Sequence, residues 1–141
     1  MLKNIPAVIS PELLYHMMCM GHGDELILAD GDFPVDTFSQ RTVNAYGHEI
    51  PALLDAILQF FPLDPFVDIP VAIMAPVEKD TEKPPNWKKY RSIIKKHDDC
   101  FKDLEYVKRL DFYERAKKSY LVVATTEPDG NLILKKGVVM I

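Results

Sequence analysis

The sequence has only two cysteines, Cys19 and Cys100, among its 141 residues. They make neither a disulfide framework nor a zinc site, and the apolar run around Cys19 predicts a buried thiol. The N-terminus lacks a charged leader followed by an apolar segment, and no apolar run approaches the roughly 20 residues that span a bilayer. We therefore expect a cytoplasmic protein without a membrane partner.

An excess of positive charge is also missing, since 17 basic and 21 acidic residues leave a formal net charge of −4. Proteins that bind nucleic acids usually carry a net basic surface, so we expect no nucleic-acid partner. Lysines do lie among Trp87, Tyr90 and Ile94, which stand at helical spacing. In an acidic chain this pattern favours a solvated helix face over a buried stripe, rather than an RNA-binding helix.

Helical and strand-like segments alternate along most of the chain. We predict helices over 11–20, 52–61, 87–97 and 112–118, and strands over 25–30, 70–75, 104–109, 120–125 and 132–134. The charged, proline-containing segment 77–86 predicts an exposed loop. Because the strands are apolar throughout, the pattern indicates an α/β fold with a central sheet covered by helices. The length predicts a single domain over residues 1–141.

Sequence motifs for cofactors and metal ions are absent. The chain has no glycine-rich phosphate loop, no nucleophile elbow and no two-histidine metal motif. One segment does point to chemistry, because His22 stands between Gly21 and Gly23, directly before a buried strand. Glycines have no side chains to cover the imidazole, and histidine moves protons near neutral pH, so His22 is a candidate catalytic residue. The alternative is an exposed turn histidine beside a glycine that ends a helix.

Three more polar side chains stand close to predicted strand ends. Asp30 ends a hydrophobic strand, where α/β sheets collect their ligands, although it can equally cap a turn. Arg109 ends another predicted strand and can hold a polyol through charge-assisted hydrogen bonds, with a surface salt bridge as the alternative. Tyr113 follows on the short helix, where it can present its hydroxyl group.

The N-terminal part of the chain contains the blocks Ile9-Ser-Pro-Glu-Leu-Leu14, Met20-Gly-His-Gly-Asp-Glu25, Asp30 and Phe33-Pro34. Together these blocks resemble the N-terminal signature of the RbsD/FucU family of sugar mutarotases. The C-terminal signature of the fucose branch is similar to Phe112-Tyr-Glu-Arg-Ala116, Gly130-Asn131 and Leu134-Lys-Lys-Gly-Val138. The ribose branch has a histidine-containing segment where this chain has Phe-Tyr-Glu-Arg. The resemblance runs nearly end to end.

The resemblance implies an RbsD-like fold and interconversion of the α and β anomers of L-fucose, without cofactor or metal. In that reaction the pyranose ring opens and recloses on the other face of C1, with an acid at the ring oxygen and a base at the anomeric hydroxyl. Carried over by position, His22 is the general acid. Asp30, Arg109 and residues 129–131 hold the sugar hydroxyls, with Tyr113 nearby. The family also implies a ring-like homo-oligomer, such as a decamer, with the site at a subunit interface.

Two segments depart from the family pattern. Asp129-Gly130-Asn131 stands where the family usually has Tyr-Gly-Asn, and the loop before it is shorter. An aspartate can accept a hydrogen bond from a hydroxyl, but it offers no aromatic ring and no phenolic proton. Asn44-Ala-Tyr-Gly47 replaces Arg-Ala-Asp-Gly. Two alternatives therefore remain: a non-catalytic sugar-binding or regulatory protein, and a mutarotase or pyranase for another monosaccharide, such as ribose or galactose.

The spacing of His22 and Asp30 raises a geometric question. From Glu25 to Asp30 the predicted strand has five steps of roughly 3.3 Å each, a span of about 16 Å. Groups that far apart on a straight strand cannot both contact one monosaccharide. Either the chain folds back at Gly21–Gly23, or the two residues of one site come from different subunits, which is what we expect.

Overall fold

The computed structural model describes residues 1–76 and 86–141. Within these ranges, six strands form one sheet and four helices pack against it. The strands are β1 (Glu25–Ala29), β2 (Thr42–Asn44), β3 (Val71–Met74), β4 (Glu105–Val107), β5 (Leu121–Ala124) and β6 (Leu132–Lys135). The helices are α1 (Pro11–Cys19), α2 (Ile50–Leu58), α3 (Asn86–His97) and α4 (Arg109–Lys118).

The order of strands across the sheet is β2-β5-β1-β6-β3-β4. Strands β2, β5 and β1 are parallel to one another, as are β3 and β4, whereas β6 is antiparallel to both of its neighbours. Five strands therefore end at one edge of the sheet, which we call the carboxyl edge, and β6 begins there. At the opposite edge, the amino edge, β6 ends and the other five strands begin.

Both faces of the sheet are covered, which confirms the predicted α/β class. Alternate residues of β1 point to opposite faces, as the pleat of a strand requires. Leu26 and Leu28 pack in a cluster with the buried residues of α1, α2 and α3. Ile27 and Ala29 pack in a second cluster with Phe33 and with Phe112 of α4.

Local sequence features predict the start of α1 and the buried face of α3 correctly. The Ser10 side chain accepts a hydrogen bond of 3.1 Å from the Leu13 N–H, so it caps α1 as its position predicts. The buried residues of α3 are Trp87, Tyr90 and Ile94, which confirms the stripe beneath its charged face. None of the helices in the described part of the chain is both long and apolar enough to cross a bilayer.

The structure corrects several sequence predictions. Arg109 does not end a strand, because β4 stops at Val107 and Arg109 is the first residue of α4. The extended backbone of Lys108 provides the helix N-cap, and Asp111 places an acidic group in the first turn, where the helix dipole favours it. Cys19 is exposed rather than buried.

Other differences concern element limits. The sequence does not predict strand β2, because only Val43 of its three residues is buried and the strand therefore has no apolar run of its own. Helix α2 ends at Leu58 instead of residue 61. The loop predicted over 77–86 lies outside the described residues, apart from Asn86, which belongs to α3.

Candidate active site

Asp30 and Asn131 meet at the carboxyl edge, where β1 ends and β6 begins. The Asp30 N–H donates a hydrogen bond of 2.8 Å to Asn131 Oδ1, and Asn131 Nδ2 donates one of 3.0 Å to Asp30 Oδ2. The Gly130 N–H donates a third, of 3.3 Å, to the same carboxylate oxygen. Three of the predicted site residues are therefore adjacent in the folded chain, because β1 and β6 are antiparallel neighbours.

The Asp30 carboxylate is half-buried and remains able to accept further hydrogen bonds. Burial raises the pKa of Asp30. The hydrogen bonds from Gly130, Asp32 and Asn131 lower this pKa, but they offset only part of the increase. The Asp32 N–H donates to Oδ1 at 3.1 Å, so Asp30 does cap a turn, as the alternative interpretation held. A carboxylate has about four lone-pair sites, and these three donors leave capacity for a ligand hydroxyl.

Arg109 and Tyr113 lie on the first two turns of α4, connected to the Asp30 turn by aromatic contacts. The Arg109 guanidinium carbon is 5.7 Å from the centre of the Tyr113 ring. That ring lies edge-on to Phe33, with ring centres 5.5 Å apart, and the Phe33 N–H donates to the Asp30 carbonyl. Within 1–76 and 86–141, Arg109 makes no ion pair, so the salt-bridge alternative has no support there.

His22 lies at the amino edge and is held by a buried aspartate, Asp64. His22 Nε2 is 3.1 Å from Asp64 Oδ1, and the ring centres of His22 and Phe66 are 5.5 Å apart. The His22 side chain is 46% exposed, whereas that of Asp64 is only 4% exposed. The imidazole is therefore approachable, as its glycine neighbours predict, and a carboxylate supports it from the interior.

The Asp64 carboxylate orients the His22 ring through the hydrogen bond at Nε2. Burial raises the pKa of Asp64, but hydrogen bonds from the Phe66 N–H and from His22 outweigh it and hold that pKa below its usual value. An ionised carboxylate accepts the Nε2 proton and thereby favours the tautomer with Nδ1 unprotonated. Nδ1 can then accept a proton from a ligand, and the imidazolium that results, with its Nε2–H beside Asp64, can donate that proton back.

The sequence did not identify Asp64. It follows α2 by six residues, and the Asp64 N–H donates a hydrogen bond of 3.0 Å to the Lys135 carbonyl at the end of β6. The bridge between Leu63 and Lys136 continues this contact. In the sequence, Asp64 stands out only because it precedes Pro65, and this position does not indicate a catalytic or binding role.

The chain does bend beside His22, but the bend keeps His22 at the amino edge. Gly23 has φ +86°, a conformation that favours glycine, and its N–H donates a hydrogen bond of 2.8 Å to the Lys136 carbonyl. Strand β1 then runs across the sheet to Asp30 at the carboxyl edge. Within one chain, the His22–Asp64 pair and the Asp30–Asn131 pair therefore lie at opposite ends of β1.

Gly137 provides a stability test of the amino edge. A Cβ atom at this position would lie 2.6 Å from the Leu63 carbonyl oxygen and 2.8 Å from Asp64 Cα. Because both are backbone atoms, Gly137→Ala forces the 63–64 segment to move, and we expect a loss of about 1–3 kcal/mol in the free energy of unfolding. Urea unfolding measures it. The control is Gly21→Ala, whose Cβ would make an ordinary contact at 3.7 Å. Equal midpoints for the two variants would contradict the packing described.

Groups of three or more histidine, cysteine, aspartate or glutamate side chains able to hold a metal ion do not occur in the described residues. The two pairs instead offer a proton-exchanging imidazole, carboxylates and an amide. This donor set can bind hydroxyl groups and move protons.

The comparisons with known proteins agree on one family. The model of the RbsD / FucU transport protein family matches residues 3–139. The fucose mutarotase of Mus musculus is 49% identical over 144 residues, which cover 96% of this chain and 94% of that protein. The L-fucose mutarotase of Actinobacillus pleuropneumoniae serotype 5b is 43% identical over 140 residues, covering 98% and 97%. The crystal structure of the Streptococcus pneumoniae fucose mutarotase with L-fucose has 45% identity and a TM-score of 0.91, covering 99% of this chain and 100% of that one.

Proposed function

The chain belongs to the RbsD/FucU family, and from that premise we propose that it is an L-fucose mutarotase, an isomerase that interconverts the α and β anomers of L-fucose. The single observation that carries the mechanism is the half-exposed His22 imidazole held by the buried Asp64 carboxylate. Such a pair fixes the orientation of the ring and leaves one nitrogen available for proton transfer.

In the reaction, the bond between C1 and the ring oxygen breaks and re-forms. We propose that His22 in its imidazolium form, with protons on both ring nitrogens, donates its Nδ1 proton to the ring oxygen as this bond breaks. The anomeric hydroxyl loses its proton to a base at the same time, which gives the open-chain aldehyde. Rotation about the C1–C2 bond then presents the other face of C1, and on reclosure acid and base exchange roles. His22 thus recovers its proton, and the enzyme returns to its starting state.

Asp30, Asn131, Gly130 and Arg109 serve substrate binding in this proposal. The Asp30 carboxylate accepts from a sugar hydroxyl and Arg109 donates to one. Asn131 fixes Asp30 by donating one hydrogen bond to the carboxylate and accepting another from the Asp30 backbone N–H. Tyr113 supports the Arg109 guanidinium with its ring. Charge-assisted hydrogen bonds of this kind fix the orientation of a polyol.

The substrate site is composed of two subunits. One monosaccharide cannot reach both ends of β1, so we propose a ring-like homo-oligomer, such as the decamer that the family resemblance implies. In it the His22–Asp64 pair of one copy faces the Asp30–Asn131 pair of a neighbour. The Phe66 ring, which contacts His22, is largely exposed, and an exposed aromatic side chain beside the site is typical of a protein interface and supports this proposal.

The compartment and domain organisation complete the proposal. Exposed, free thiols at Cys19 and Cys100 fit a reducing compartment, and we place the enzyme in the cytoplasm. All six described strands join one sheet, so we treat residues 1–141 as one mutarotase domain.

Saturation-transfer NMR on equilibrated L-fucose tests the activity. One anomeric proton is saturated and the loss of signal at the other is followed as protein is added. We expect the exchange rate to rise in proportion to protein concentration. A non-catalytic sugar-binding protein would perturb the sugar signals without faster exchange, and faster exchange of D-ribose than of L-fucose would favour the pyranase alternative.

Asp129 gives a prediction about the unusual segment 129–131. If the Asp129 carboxylate only accepts a hydrogen bond, Asp129→Asn retains an acceptor oxygen and costs less than about tenfold in exchange rate. Asp129→Tyr introduces the residue usual in the family and should be tolerated or raise the rate. The exposed Asp99→Asn is the matched control, and the NMR exchange assay is the measurement. A collapse of activity in Asp129→Asn alone would instead assign Asp129 a proton-transfer role.

A further inference from the structure

An apolar side chain lies directly beside the polar pair at the carboxyl edge. Asn131 Nδ2, which is 3.0 Å from Asp30 Oδ2, is also 3.9 Å from the sulfur of Met74. Met74 is the last residue of β3, and its N–H donates a hydrogen bond of 3.0 Å to the Asn131 carbonyl. The same amide group therefore contacts a carboxylate on one side and a thioether on the other.

Aromatic rings extend this apolar surface. Phe33, in the Asp30 turn, belongs to a buried cluster against which Met74, Tyr113 and Phe38 pack as partly buried members. The Tyr113 ring stacks on Phe38 with ring centres 4.6 Å apart. Met74 and Tyr113 are only partly buried, so this cluster keeps some surface uncovered, and through Met74 it lies beside the Asp30–Asn131 pair.

L-Fucose itself combines hydroxyl groups with one apolar substituent, the methyl group on C5. If its hydroxyls bind Asp30 and Arg109, its methyl group needs an apolar neighbour. We propose that Met74, backed by the Phe33–Tyr113 rings, forms the subsite for this methyl group and makes the enzyme selective for 6-deoxy sugars. The inference rests on the proposed function and adds to it the residue that recognises C5.

Three sugars that differ only at C5 allow a direct test. D-Arabinose carries hydrogen at that position, L-fucose carries a methyl group and L-galactose carries a hydroxymethyl group. We expect kcat/KM for anomer exchange to be highest with L-fucose. Loss of one methyl group from an apolar pocket costs about tenfold or more, so D-arabinose should react at least tenfold less efficiently. For L-galactose we expect a loss of about 10- to 100-fold, because its extra hydroxyl faces a thioether, which cannot donate a hydrogen bond.

The substitution Met74→Gln identifies the residue responsible. Glutamine has a similar shape and adds polar atoms that can bind the hydroxymethyl group, so the L-fucose to L-galactose ratio of kcat/KM should fall about tenfold. Met74→Leu keeps the surface apolar and should keep the ratio. The matched control is Met18→Gln on α1, where the methionine is 79% exposed, and it should also leave the ratio unchanged. The ratio compares two sugars on one preparation, so partial loss of folded protein does not affect it.

The outcomes separate this inference from the proposed function. An unchanged ratio in Met74→Gln, or equal kcat/KM of the wild type for all three sugars, overturns the methyl subsite while the mutarotase activity stands. If Met74→Gln does not fold, the ranking of the three sugars by the wild type decides the question. A wild type that exchanges none of the sugars overturns the proposed function together with the subsite.

Discussion

His22→Gln is expected to lower the rate of L-fucose anomer exchange by about 10²- to 10⁴-fold, the usual contribution of a general acid–base group. Glutamine cannot exchange a proton near neutral pH, so the ring oxygen loses its acid. Its side-chain amide can still donate to the buried Asp64 carboxylate, which therefore keeps a partner. Since the His22 side chain is half-exposed, the melting temperature should change little. NMR exchange and thermal unfolding measure the two quantities.

His48→Gln is the matched control, because His48 is an exposed histidine in a loop between β2 and α2. It should retain wild-type exchange and stability. Wild-type exchange in His22→Gln, with unchanged melting temperature, would exclude His22 from the mechanism.

Asp30→Asn should have the second-largest effect, a loss of about 10- to 100-fold in kcat/KM that arises mainly from a higher KM. The Asp30 carboxylate accepts from Asp32 at one oxygen and from Gly130 and Asn131 at the other. An amide has only one oxygen, so its NH₂ group must face at least one of these donors. The 129–131 segment then moves, and a charge-assisted hydrogen bond worth about 1.5–3 kcal/mol to the sugar is lost.

Exchange rates measured over a range of L-fucose concentrations give KM for this variant. Asp32→Asn is a suitable control, since Asp32 is an exposed aspartate of the same turn. If Asp30→Asn keeps the wild-type KM, then Asp30 is a turn cap and not a substrate-binding residue.

The parts of the fold that the sequence predicts well are those with local causes. The run that forms β1 is apolar because the strand is buried on both faces. Helix α1 begins directly after Ser10 because the hydroxyl of this serine accepts a hydrogen bond from the Leu13 N–H at the start of the helix. Strand β2 has no such local cause. Its three residues form a strand because they pair with β5, whose residues stand about 80 positions later in the chain. The limit between β4 and α4 likewise depends on where pairing with β3 ends, and this is why Arg109 was placed on the wrong element.

The residues of the candidate site also differ in whether local sequence features identify them. His22 and Asp30 could be selected from glycine neighbours and from a strand end, and the family resemblance pointed to Asn131. The role of Asp64 could not be predicted, because its hydrogen bond to His22 joins residues 42 positions apart and depends on contact of the 63–64 segment with the end of β6. Met74 reaches Asn131, which stands 57 positions later in the chain, through the pairing of β3 with β6.

Subunit mixing tests most directly whether one active site needs two copies of the chain. His22→Ala and Asp30→Ala oligomers, each of low activity alone at sub-KM L-fucose, are dissociated, mixed and reassembled, and L-fucose exchange is measured by NMR. Mixed oligomers contain interfaces at which an intact His22–Asp64 pair faces an intact Asp30–Asn131 pair, so activity should partly return. If activity does not return although subunit exchange is demonstrated, the two residues do not act together across an interface. That result would contradict the proposal that two subunits form each active site.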